Sequence, residues 1–188
     1  MHNYHEVYQS FPPAYTVDDA GNKLHSWRTL ILPFIDQSQL YSQIDLNRPW
    51  DSPQNRHLGQ FVIPVYGCPS NEGPDPTRTN VMAIIGPGTV FEGSTPMAFK
   101  DIRDGTANTI LVVEVRDSKI NWMEPTDLDL DAMTMSINAG PSEIGSEHPG
   151  GAQVSLADGS IHFLAETLDP RTLRSLITRD GEEVIPSF

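Results

Sequence analysis

HPGGAQVSLADGSIHF, His148 to Phe163, reads as a turn, a strand, a tight Asp-Gly turn and a returning strand. Val154 and Leu156 mark one apolar-alternating arm, Ile161 and Phe163 the other, with Ala157-Asp158-Gly159-Ser160 between them. Asp-Gly tolerates positive φ at both central positions of a type I′ turn, whose twist matches the strands it joins. The stretch is therefore predicted to be a β-hairpin over 148–164. Its spacing is also distinctive: His148, nine residues, then Asp158-Gly159.

Working outward, residues 109–115, TILVVEV, form the clearest strand, so continuously apolar that both faces should be covered. Residues 61–68 and 80–85 also read as strands, joined by a Pro/Gly-rich loop over 69–79. Residues 123–147 form a polar, irregular excursion before the hairpin. Asp169-Pro170 opens a last helix over 170–178, and Asp180-Gly181 closes it. Upstream, Ser26 caps a helix whose face is Trp27, Leu30, Ile31, Phe34 and Ile35, divided by Pro33, with a second segment over 38–44. Ser52-Pro53 starts a short helix to about Gln60, and residues 14–25 read as a polar loop. Residues 1–10 read as the last turns of a helix running into Pro12-Pro13. A helix that short is marginal alone, so the sequence predicts a truncated N-terminal helix.

At 188 residues, with 38% apolar and 20% charged residues, the chain is sized for a single domain with its own core. Its 16 prolines and 14 glycines predict many turns. The formal net charge of −13 argues against binding to nucleic acid and disfavours docking on anionic lipid. No stretch approaches the roughly 20 apolar residues of a membrane-spanning helix, and the polar start MHNYH lacks the features of a signal peptide. Cys68 is the single cysteine, so no internal disulfide exists; burial as a small apolar group is its expected role.

Several motifs in order resemble one bacterial family. They are HNYH…FPP at 2–13, HSWR at 25–28, PWDSPQN at 49–55, CPS at 68–70, DGTANT at 104–109 with Glu114, WMEPTDL at 122–128, and the H-x9-DG of His148, Asp158 and Gly159. Together they resemble DUF1559, a family related to type IV pilins and type II secretion pseudopilins. The resemblance implies an α+β, pilin-like fold, with N-terminal helical parts packed on an antiparallel β-sheet and long irregular loops. It implies a non-enzymatic structural subunit of an envelope filament or secretion apparatus, periplasmic or cell-surface. The full-length form would be anchored in the inner membrane by an apolar N-terminal helix. Partners would be other pilin-like subunits meeting through that helix; this portion is expected to be a monomer. The alternative is an extracytoplasmic solute- or glycan-binding module, with Trp27, Trp50 and Trp122 around a concavity.

Candidate sites follow from residue chemistry. Asp127, Asp129 and Asp131 alternate in DLDLD, which on an extended segment makes an oxygen-rich edge suited to Ca²⁺, with Glu124 as a further ligand. The plainer reading is a solvated acidic edge with Leu128 and Leu130 inward. Glu114, a charge within an apolar strand, requires a partner; Arg28 is the first expected and Arg103 the second. His148 is expected to anchor the hairpin structurally, its ring bonding a backbone carbonyl. No GxSxG, GxxxxGK[ST] or GxGxxG occurs, and no acid/base pair stands out for a hydrolase.

Overall fold

In chain order the elements are α1 (His2–Tyr8), β1 (Tyr15–Val17), β2 (Lys23–Ser26), α2 (Trp27–Leu30), α3 (Ser38–Tyr41), β3 (Val81–Met82), β4 (Ile84–Ile85), β5 (Ile110–Glu114), β6 (Leu128–Asp129), β7 (Gly151–Leu156), β8 (Ile161–Ala165) and α4 (Pro170–Ile177). The computed structural model describes residues 1–70, 75–141, 143–183 and 185. Mixed helices and antiparallel sheet make the fold α+β. The main sheet has the order β3-β5-β7-β8, every neighbour antiparallel. β1 and β2 form a separate antiparallel pair, and β4 runs parallel to β6.

The hairpin forms as predicted, but its turn differs. Gly159 alone takes positive φ (90°), while Leu156 C=O accepts from Gly159 N–H and Leu156 N–H donates to Ser160 C=O, each at 2.9 Å. This is a three-residue loop with a glycine bulge, not a type I′ turn. Asp158 selects it, because its carboxylate accepts from both the Ser160 N–H and hydroxyl, at 2.8 and 2.6 Å. The extra residue places Ser155 opposite Ile161 and Gln153 opposite Phe163. A register shifted by one moves a strand's side chains to the other face. Leu164 accordingly faces inward, while Ile161 and Phe163 are 65% and 45% exposed. Where β7 begins, Gly151 lies so close to β8 that a Cβ would sit 2.1 Å from Leu164 O.

β5 carries a second irregularity. Its register slips between Ile110 and Val112, so Ile110 and Val113 both point into one core while Leu111 points into another. The first core joins Val113, Val154, Leu156 and Leu164 to Leu173, Leu176 and Ile177 of α4 and to Leu128, Leu130 and Ile144 of the excursion. The second joins Leu111 to Phe11, Trp27, Leu32, Leu58, Tyr66, Phe91 and Trp122. Both faces of β5 are covered, as its composition predicts. α4 is capped by Asp169, whose carboxylate accepts from Arg171 and Thr172 N–H.

Elsewhere polar side chains redirect the backbone. Ser26 caps α2, and Pro33 falls in a 3₁₀ turn (Leu32–Phe34) that separates α2 from α3, as predicted. The expected loop over 14–25 is instead the β1–β2 hairpin, closed by Asp18, which accepts from the N–H groups of Ala20 and Asn22. The expected helix over 52–60 is a run of turns ending in a 3₁₀ segment (Leu58–Gln60), organised by buried Asn55. Asn55 accepts from Asp45 N–H and donates to the carbonyls of Asp45, Arg48 and Pro49. Residues 61–68 contain a 3₁₀ turn (Pro64–Tyr66) rather than a strand, since Pro64 presets the turn's φ. The strand expected over 80–85 is split between β3 and β4, because Ala83 N–H leaves the ladder for Asp127 Oδ1 at 2.8 Å. The excursion over 123–147 is irregular apart from β6, with residue 142 outside the described set. Residues 71–74 of the predicted loop over 69–79 likewise lie outside it.

Candidate functional site

The motif residues meet in three places. At the first, the α2 residue Arg28 reaches the segment 122–127. Both the Arg28 and Asp127 side chains are fully buried, and Arg28 Nη1 lies 2.6 Å from Asp127 Oδ1. Arg28 also donates to the carbonyls of Trp122, Val81, Glu124 and Thr126. Trp27 Nε1 donates to the same Oδ1 at 3.1 Å. Full burial pushes the Asp127 carboxyl up, and the adjacent Arg28 guanidinium pulls against that rise. Every donor direction of the guanidinium ends on oxygen, so this is a structural staple.

The staple corrects two expectations. Arg28 pairs with Asp127, not Glu114, because the WMEPTDL segment rather than β5 crosses the end of α2. Arg103, the other expected partner, lies at the surface, its N–H on Arg179 C=O. The acidic edge is also divided. Asp127 turns inward to Arg28, while Asp129 and Asp131 remain exposed, with Asp131 N–H donating to Asp129 Oδ1. Asp127 is therefore not available to join Asp129 and Asp131 around one calcium ion. Leu128 and Leu130 are buried, as expected.

At the second place α1 sits on the hairpin turn. His2 Nε2 donates to Ala157 C=O at 2.8 Å, and Gly159 is so near that a Cβ there would lie 3.1 Å from the His2 ring. His5 Nε2 accepts from Phe99 N–H at 3.3 Å, and its ring packs against Phe11 and Phe99. Tyr4 packs at a tilt against Tyr8 and edge-on against Phe34, and burial pushes its hydroxyl up to about 12. Beneath, Ala157 and Asp158 N–H donate to Thr109 and Thr106 C=O, tying the turn to the DGTANT stretch.

The third place is a cleft of about 340 Å³ beside β5 and β7, lined in part by Cys68, Val112, Glu114, His148, Gln153 and Ile161. His148 does not bond a backbone carbonyl at the hairpin base. Its Nε2 stands 3.7 Å from Glu114 Oε1 and 3.9 Å from Cys68 Sγ. It also stands at the opposite end of β7 from Asp158-Gly159, so the two halves of the H-x9-DG spacing do separate work. One sulfur, one nitrogen and one oxygen all lie within 4.8 Å of one another. Among the described residues, this is the one group of three such side chains that close.

Each of the three is positioned by a backbone hydrogen bond. Glu114 Oε2 accepts from Gln153 N–H at 3.2 Å, which leaves Oε1 facing His148. Cys68 N–H donates to Asn80 Oδ1 at 3.0 Å, and Asn80 Nδ2 is fixed on Val115 and Arg116 C=O. His148 N–H donates to Ser146 Oγ, itself bonded to Gly151 C=O. Glu114 is 11% and His148 39% exposed, so the cleft is open to solvent at the histidine. Cys68 is half-buried rather than a core residue, contrary to expectation. No local signal marked it, since 80 residues separate it from His148.

Both sulfur and carboxylate approach the same ring nitrogen. A nucleophile–histidine–carboxylate relay needs them on opposite nitrogens. The arrangement suits convergence on a shared cation better than proton transfer. Trp27 and Trp122 fill the core instead of ringing a concavity, Trp122 stacking on Tyr66 with its Nε1 on Phe61 C=O. Trp50, the third tryptophan, is half-buried against the same core.

Among the described residues, no helix is long and apolar enough to cross a membrane. No curated protein and no solved structure matches the chain. The model of one family matches residues 1–129 and 114–171, which is most of the sequence and includes all three junctions. The chain therefore belongs to that family, described as a protein of unknown function, DUF1559.

Proposed function

We propose that this chain is the globular head of a pilin- or pseudopilin-like structural subunit, displayed in the cell envelope outside the cytoplasm and without enzymatic activity. The observation that carries the reading is the docking of α1. His2 on Ala157 C=O fixes the helix to the sheet's hairpin turn and His5 on Phe99 N–H fixes it to the 3₁₀ segment Phe99–Asp101, so that helix and head move as one body. A filament subunit needs such a joint, because packing of its helices must set the orientation of its head. The outer side of α1, with exposed Val7 and Tyr8, is left for a neighbouring subunit. The motif resemblance to the pilin-related family points the same way, and partners would be like subunits meeting through the helical end.

The test is made in the natural host with the natural gene, carrying a photo-crosslinking amino acid at Val7. Irradiation is expected to give multimers in the envelope fraction, lost when the crosslinker is moved to Gln153 in the cleft. Monomer alone, recovered from the cytosol, overturns the reading.

A further inference from the structure

The cleft beside β7 has a donor set with a chemistry of its own. We infer that Cys68, Glu114 and His148 form a binding site for a divalent transition-metal ion of the zinc type, with three protein ligands and a fourth position open to solvent.

Distance is the first support. A tetrahedral zinc with sulfur at about 2.3 Å and nitrogen or oxygen at about 2.0–2.1 Å sets its ligand atoms roughly 3.3–3.6 Å apart. Here Nε2 is 3.7 Å from Oε1 and 3.9 Å from Sγ. These two distances need close only by a few tenths of an ångström, and with all three atoms within 4.8 Å of one another, rotation of the side chains brings them to a common ion. Donor type is the second support. A thiolate with an imidazole selects Zn²⁺, Co²⁺ or a similar ion over Ca²⁺ and Mg²⁺, which take oxygen. The third is the outer layer: Gln153 N–H holds the far oxygen of Glu114, Asn80 holds the Cys68 backbone, and Ser146 holds that of His148. Such partners orient ligands before the ion arrives.

Charge agrees with this assignment. A zinc-bound cysteine is a thiolate, and beside it stands the Glu114 carboxylate. A divalent cation neutralises both, and on binding the thiol proton leaves to solvent. Affinity should therefore rise with pH. A simple Glu114–His148 ion pair is the competing account, and it gives the sulfur no role.

The full chain, purified free of metal, is titrated with Co²⁺ and then Zn²⁺. One Co²⁺ per chain is expected, with thiolate-to-cobalt charge-transfer absorption that Zn²⁺ abolishes. In C68S the absorption should vanish, and in C68S and H148A Zn²⁺ binding should weaken at least about 100-fold, beyond the roughly 10–100-fold cost of losing an outer-layer partner. E114Q, which keeps size and shape and guards against a folding defect in the others, should weaken Zn²⁺ at least about tenfold with an unchanged circular dichroism spectrum. Absence of the charge-transfer band in the unmodified chain, its persistence in C68S, or unchanged Zn²⁺ affinity in folded E114Q overturns the site. None of these readouts depends on filament assembly.

Discussion

Behind the main sheet, Ala152, Val154 and Leu156 of β7 meet Leu164 of β8 and Leu173 and Leu176 of α4 through carbon, and the polar groups pair along the backbone ladder. Across the molecule, residues 24–66 and 116–130 are turns and short elements, several of whose carbonyls end on side chains. Arg28 takes three of them and the Val81 carbonyl besides, Asn55 three, Ser26 one and Trp122 Nε1 another. One region rests on area removed from water, which tolerates reshaping and is paid for gradually. The other rests on a few buried polar groups, each of which fails all at once when its partner is lost.

Three measurements bear on that contrast. The largest effect is expected for Arg28→Ala, which leaves Asp127 buried and unpaired: a loss of about 3–5 kcal/mol in urea unfolding. Replacing both partners with apolar residues of similar volume (Arg28→Met with Asp127→Leu) should recover much of it, and failure to recover any would mean the carbonyl contacts, not the charge, hold the turns. Leu156→Ala comes next, at about 2–5 kcal/mol by lost burial and the residual cavity. A value well under 1 kcal/mol would show that the sheet's core collapses onto the gap. The smallest is a pH effect at His25. Burial lowers the basicity of its ring, although Nε2 meets Asp45 C=O, and Nδ1 has no hydrogen-bond partner among the described residues. A depressed histidine binds its proton more readily when unfolded. Its stabilising share is therefore complete above the ordinary value near 6.5 and is lost as pH falls below it. The melting temperature should drop between pH 7 and pH 5, and His25→Asn should flatten that slope.

The same contrast explains which parts could be read from the residues alone. Hydrophobic alternation and a capping Asp sufficed for the hairpin, β5 and α4, because those elements satisfy their polar groups internally. The β1–β2 pair, the turns around Asn55 and the split between β3 and β4 depend on one side chain each: Asp18, Asn55 and Asp127. None leaves a periodic trace. Asp158 is instructive in the same way. The Asp-Gly pair located the turn, yet the hydrogen bonds of its carboxylate to Ser160 set the loop length, and so decided that Ile161 and Phe163 face outward. Glu114 and His148 were recognisable singly from their chemistry. That they face each other, with Cys68, is a property of β5 lying beside β7.

The Arg28–Asp127 staple joins positions 99 residues apart. Closing so long a stretch of chain is entropically costly until other contacts have already brought its ends together. The expected order is that the sheet draws β3 to β5 before residues 122–127 cross α2. The staple is therefore predicted to form after the rate-limiting step of folding and to act as a latch. Its removal should leave the refolding rate nearly unchanged and speed unfolding by almost the whole of its stability loss. In a chevron plot, that appears as a displaced unfolding limb. Its contribution is to how long the native molecule endures, not how quickly it is made.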